Sequence, residues 1–197
     1  MKIQNLAIAS LTALSCLGIL ALPDVLAESL QISSSSSKIQ FVGSKPDGSH
    51  KGGFNTFAGI FDPGTGQLSL NIDMRSIFTD DQKLTGHLMS PDFFDVRKFP
   101  AATFASSQIR KEQTQGATHV IVGNLTLHGT TQQITIPCNI QWQGTSLVTS
   151  GTVTLQRSNF GVNYGQGQIN EAVPVTFQLV ASPAAGGEQQ GSGSGSR

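Results

Sequence analysis

The most restrictive feature of this chain is an alternation of apolar and polar residues with a period of two. In QLSLNIDM, Leu68, Leu70, Ile72 and Met74 share one face while Ser69, Asn71 and Asp73 share the other. That pattern describes a strand with one dry side. It recurs in ITIPCNIQW, where Ile134, Ile136, Cys138, Ile140 and Trp142 fall together, and in AVPVTFQLV, where Val173, Val175, Phe177 and Leu179 do. A chain built from such segments must cover one face of a sheet, by a second layer or by closing the sheet on itself.

Five further segments read as strands: Lys38–Gly43, Gly53–Phe61, Thr103–Ile109, Thr118–Leu127 and Leu147–Arg157. Turn chemistry separates neighbours, with DPGTGQ at Asp62–Gln67 and HGTT at His128–Thr131 as hairpin connections. Eight strands with short links and little helix imply an all-β antiparallel meander, and closure into a barrel removes its edges. Pro137 and Pro174 interrupt two strands. Each lacks a ladder donor, so each marks an edge, a bulge or a strand end. Only Thr79–Val96 resists a strand reading; TDDQKLTGHL has Thr79 or Asp80 as a helix N-cap, and a short helical segment is expected in this connection.

The chain of 197 residues suits one domain, and 12 basic against 12 acidic side chains give no field of either sign. Nucleic acid is therefore not an expected partner, since it demands a stripe of Lys and Arg to displace counterions. At the N-terminus, Lys2 precedes an apolar run from Leu6 to Leu22 and VLAES follows, with Val25 and Ala27 at the small-residue positions of a cleavage site. Residues 1–27 are thus expected to be a signal peptide cut near Ala27, sending the protein to the periplasm or outside the cell with no membrane span in the mature chain. Ser10, Thr12, Ser15 and Pro23 interrupt the run and weigh against a retained anchor. Acylation of Cys16 is disfavoured by Ala13, where such sites usually carry Leu. Cleavage leaves Cys138 alone, so the barrel must be held by its core rather than a disulfide. Residues 28–37, with the serine run Ser33–Ser37, read as a flexible lead-in; 38–182 as the barrel; and 183–197, rich in Gly and Ser, as a disordered tail.

An eight-stranded barrel is either filled by its own side chains or holds one small ligand, and the strand pattern favours neither. Aromatic placement bears on the choice. Eight of the 11 phenylalanines lie between Phe54 and Phe104, four of them within TGHLMSPDFFDVRKFPAATF. Each ring buries roughly 150–250 Å². Core filling is the ordinary fate of such residues.

Four blocks in register now point to a family. GGFNTFAGIF, MRSIFTDDQKLTGHLMSPDFFDVRKFPAATFASSQI, VIVGNLTLHGTTQQITIP and LQRSNFGV occur in the order seen in YceI-like proteins. The resemblance spans Lys38–Ala181. Its start departs from many members, which carry a Trp and a D..HS segment where this chain has SSSSSKIQFVGSKPDGSHKGGF. A subgroup beginning SKI.F.GSK..GSH.G.F is more similar. The resemblance implies a lipocalin-like, eight-stranded antiparallel barrel, exported in bacteria, that binds a polyisoprenoid or comparable long-chain amphiphile in an elongated cavity, for lipid carriage or in a stress response. No cofactor beyond such a lipid is implied, and a homodimer is left open.

On that reading the candidate lining residues are Phe54, Phe57, Phe61, Ile72, Phe78, Leu88, Phe93, Phe94, Phe99 and Phe104. A polar head needs donors near one mouth, and His87, Arg75 and Arg157 are the leading candidates by type, with Lys83 and Arg97 behind them. His87 equally suits a local loop bond, and Asp92 and Asp95 suit turn caps. Rival readings are a filled barrel acting through its surface, or an enzyme on a lipid substrate. Catalysis finds little support: there is no G.S.G elbow and no HE..H pair, and His50, His87, His119 and His128 are too dispersed for a metal site. Cys138 lies on an apolar strand face and reads as an inert thiol. FGVNYGQGQ opens no helix and so makes no phosphate cradle, and NLT at Asn124 reads as strand sequence rather than a glycosylation site.

Overall fold

The computed structural model describes residues 28–114 and 116–184; the expected signal peptide and nearly all of the expected tail lie outside them. The elements are β1 (Leu30–Ser33), β2 (Lys38–Lys45), β3 (Gly48–Phe54), β4 (Phe57–Asp62), β5 (Gln67–Asp73), β6 (Ile77–Thr79), α1 (Gln82–Met89), β7 (Ala101–Thr114), β8 (Ala117–Leu127), β9 (Thr130–Gln143), β10 (Ser146–Gln156) and β11 (Ala172–Pro183). Every strand pairing is antiparallel. The order β1-β4-β5-β7-β8-β9-β10-β11, closed by a β1–β11 ladder, is an eight-stranded barrel. β2, β3 and β6 continue the sheet beyond β11 at one end.

Two differences from the sequence reading concern the first third of the chain. The expected single strand Gly53–Phe61 is two strands, β3 and β4, broken at Asn55–Thr56, whose backbone N–H groups donate to the Ser76 carbonyl and hydroxyl at 3.1 and 3.0 Å. The expected lead-in is also structured. Leu30–Ser33 forms β1, which pairs β4 on one side and β11 on the other. Leu30 and Ile32 are only 5% and 3% exposed, because LQIS obeys the same alternation as the longer strands in too few residues to announce it. The serine run has a defined end as well. Ser37 is buried, and its Oγ accepts from the Val180 N–H at 3.0 Å, where β11 exchanges β2 as partner for β1. A hydroxyl supplies the acceptor that neither strand offers there.

The prolines mark where ladders end. Pro137 pairs Val120 of β8, but pairing with β10 stops one residue later, at Cys138–Gly151. Pro174 pairs Thr154 of β10, while pairing with β2 stops at Val175–Phe41. Each strand thus keeps one neighbour and releases the other where a donor is missing. Gly151 allows the close approach of the strands where the β9–β10 ladder ends, since a Cβ there would sit 2.7 Å from the Pro137 carbonyl oxygen.

α1 begins at Asp81, whose Oδ1 accepts from the Leu84 N–H at 2.8 Å. The cap is therefore one residue beyond the Asp80 considered from sequence; Asp80 is engaged instead by His50 and the Lys51 N–H. Among the described residues no buried side-chain polar atom lacks a partner, and no helix is long and apolar enough to cross a membrane.

Candidate functional site

The inward faces of the strands enclose a cavity of about 420 Å³, within the roughly 300–1,000 Å³ typical of small-molecule sites. Its floor is made by Ile39, Leu68, Ile121 and Leu179, each 6% exposed or less. The wall rises past Leu70, Ile136, Val153 and Phe177 to a mouth at the β2–β3 hairpin. The alternation read from sequence generates this surface, since every second residue of each strand faces inward.

Two pieces cover the mouth. One is α1 with the loop after it, contributing Leu84, Leu88, Phe93 and Phe94. The other is the segment from Arg157 to Glu171, contributing Phe160, Val162 and Ile169. Arg157 organises the second piece. It is 7% exposed, and its Nε donates to the Asn170 carbonyl, Nη1 to those of Val162 and Tyr164, and Nη2 to that of Ile169, at 2.6–3.2 Å. Nη2 also meets Glu171 Oε1 at 3.1 Å. Four hydrogen bonds and one ion pair thus engage all three nitrogens of the guanidinium. Glu171 is held below the usual carboxylate range by hydrogen bonding from Ser158 and by the Arg157 charge.

The covers meet through aromatic rings. His87 packs edge-on against Phe93 and Tyr164, at centroid distances of 4.9 and 4.8 Å, and Phe93 lies 4.9 Å from Tyr164. Nε2 of His87 is 3.1 Å from Asp92 Oδ2. His87 thus fastens helix to loop, outside the cavity wall.

Of the ten candidate lining residues, Phe54, Ile72, Leu88, Phe93, Phe94 and Phe104 stand on the cavity wall. The other four stand elsewhere. Phe57 and Phe61 pack in the main core of the barrel, Phe78 lies against Gly53, and Phe99 packs on His128, 4.5 Å between centroids, with Lys98 over its ring. Three head-group candidates are also relocated. Arg75 is exposed and forms a two-pronged pair with Asp73 at 2.8 and 2.9 Å, which holds that carboxyl below its ordinary range. His87 serves the covers. Arg157 reaches the wall, but each of its nitrogens is engaged by protein. Lys83 and Arg97 are exposed and off the wall.

Sequence reasoning missed Phe41, Phe160, Lys45 and His50, all on the wall. Phe41 belongs to a strand whose alternation Gly43 of KIQFVGSK obscures, and Phe160 to a 3-10 turn with no period. Trp142, read on the dry face of its strand, is 58% exposed. Cys138 is 1% exposed, and burial pushes its thiol up to about 11, the state of an unreactive core residue. Among the described residues no cluster of metal-binding side chains occurs.

Comparison with known proteins agrees with this architecture. The YceI-like domain model matches residues 30–181. A UPF0312 protein of Pseudomonas paraeruginosa is 32% identical over 139 residues, covering 65% of this chain and 71% of that one. Protein YceI of Salmonella arizonae is 36% identical over 98 residues, 47% of this chain and 50% of its own. Among solved structures, Burkholderia cenocepacia BcnA superposes with a TM-score of 0.68 at 27% identity, covering 77% of this chain and 99% of that one. A polyisoprenoid binding domain from Saccharophagus degradans gives 0.66 at 18% identity, covering 81% and 99%, a likeness of fold. With its closed barrel, covered mouth and family match running from Leu30 to Ala181, the chain belongs to the YceI-like family.

Proposed function

We propose that this chain is a non-catalytic binding protein that holds a polyisoprenoid or similar long-chain amphiphile in its barrel, and that it does so after export to the periplasm or beyond the cell. The observation that carries the reading is the cavity itself: about 420 Å³ of space walled almost throughout by aliphatic and aromatic side chains. Each methylene moved from water into such a wall gains about 0.8 kcal/mol, so a long tail needs no polar recognition along its length. Association and ordering costs offset part of that sum. The polyisoprenoid binding domain of like fold supports the ligand class, and the apolar N-terminal run ending at VLAES supports export.

The test is direct. Protein folded in a bacterial host is purified, extracted with organic solvent and analysed by mass spectrometry. A long-chain isoprenoid or related amphiphile at near-stoichiometric amounts is expected. Recovery of none, together with no binding of fluorescent lipid probes by the extracted protein, overturns the reading. Steady turnover of a supplied lipid would replace it with an enzymatic one.

A further inference from the structure

The mouth of the cavity has a polar side confined to one hairpin. SKPDGSH turns at Pro46–Asp47, a proline-led turn sequence, and joins β2 to β3 with Lys45 opposite Gly48 and Gly43 opposite His50. Residues 43 and 45 share a strand face, as do 48 and 50. Lys45 and His50 are therefore diagonal neighbours on one face, at roughly 7–8 Å between backbones. Each faces a glycine. A Cβ added at Gly43 or Gly48 would meet nothing within 4 Å, so open space lies beside both polar groups. All four residues line the cavity.

Lys45 has donors to spare, and His50 presents a ring nitrogen. Lys45 Nζ contacts Asp47 Oδ2 at 3.2 Å, with side chains 51% and 74% exposed, a surface pair that a ligand readily displaces. His50 Nδ1 is 2.8 Å from Asp80 Oδ1, and Asp80 is itself fixed by the Lys51 N–H at 3.0 Å. That carboxylate orients the ring, and among the described residues Nε2 has no protein partner. The hairpin is anchored in place: the Asn170 N–H and Nδ2 donate to the Ser44 carbonyl and hydroxyl, both at 2.9 Å. Arg157, the other cation on the wall, is saturated by protein acceptors.

From the pairing of Lys45 and His50 across two glycines at the mouth, we infer that the β2–β3 hairpin is a head-group site for an anionic oxygen-bearing end, a carboxylate or phosphate, of an amphiphile whose tail fills the barrel. The inference rests on the amphiphile-binding reading and adds selection by charge. One end of the cavity accepts any apolar chain; the other offers an anion the Lys45 ammonium, a charge-assisted donor, with the His50 ring beside it.

Delipidated full-length chain is titrated with hexadecyl phosphate, palmitate and hexadecanol, three amphiphiles with alkyl tails of similar length. The two anions are expected to bind at least about tenfold tighter than the alcohol, and the tighter of the two identifies the head group. Lys45→Met should lower anion affinity about tenfold and His50→Gln a few-fold, with hexadecanol changed by less than about twofold. Lys83→Met, an exposed cation off the wall, should change none of the three. Lys45→Gln repeats the test with a polar side chain, and melting curves check that each variant folds. Equal binding of all three amphiphiles, or equal effects of the variants on all three, overturns the head-group site and leaves the cavity reading standing. Failure of all three to bind overturns both.

Discussion

The lower and upper halves of β10 and β11 follow one alternation yet do opposite things. Toward the floor, Leu147, Thr149, Leu179 and Ala181 face inward and are 2–5% exposed. Toward the mouth, Val153, Leu155, Val173 and Val175 face inward and remain half-buried on the cavity wall. At the floor end the wall is closed, because β1 pairs both β4 and β11 there. The mouth stays open because the β9–β10 and β2–β11 ladders stop at the two prolines. Packing therefore stabilises the floor, while a few polar anchors, Arg157 foremost, order the mouth. An apolar period defines a surface, and its neighbours decide whether that surface is filled.

The largest expected effect breaks the mouth alone. Arg157→Met removes four hydrogen bonds to backbone carbonyls, leaving those acceptors unpaired, together with the ion pair to Glu171, and should cost about 3 kcal/mol in urea unfolding. Hydrogen exchange should accelerate across residues 157–171 while floor amides such as Ile121 and Leu179 stay protected. Uniform loss of protection would show that the halves are one cooperative unit. Next, equal truncations compare the halves directly: Leu179→Ala should destabilise by about 2–4 kcal/mol, and Leu155→Ala by about 1 kcal/mol or less, because its side chain already borders empty space. Equal losses would mean that the cavity collapses in solution.

A pH series sharpens the same contrast. The Cys138 thiol, raised from 9.0 to about 11, ionises in the unfolded chain first, so its contribution is intact below pH 9 and is lost as pH climbs toward 11. The loss should reach about 2 kcal/mol at pH 11, and Cys138→Ala should remove that portion of the alkaline decline. The smallest effect tests the floor's polar joint. Ser37→Ala leaves the Val180 N–H without its acceptor and should cost about 1–2 kcal/mol by thermal or urea unfolding. A neutral result would mean that the loop relaxes to offer another partner.

Alternation in QLSLNIDM, ITIPCNIQW and AVPVTFQLV determined the all-β class, and the turn residues and prolines determined antiparallel order and where ladders stop. These are local properties, since a side chain's face depends only on the parity of its position. The aromatic block was legible as candidate lining but not ring by ring: Phe93 and Phe94 reach the cavity while Phe99, a few residues on, packs against His128. The charges were least legible. By residue type Arg75, His87 and Arg157 looked free, whereas Asp73, Tyr164 and the carbonyls of the segment following Arg157 claim them. Lys45 and His50 looked unremarkable until β2 and β3 were paired. Whether the barrel is filled or hollow, and which polar groups remain unspent at its mouth, only the tertiary structure decided, because both depend on residues far apart in sequence competing for the same space and the same hydrogen bonds.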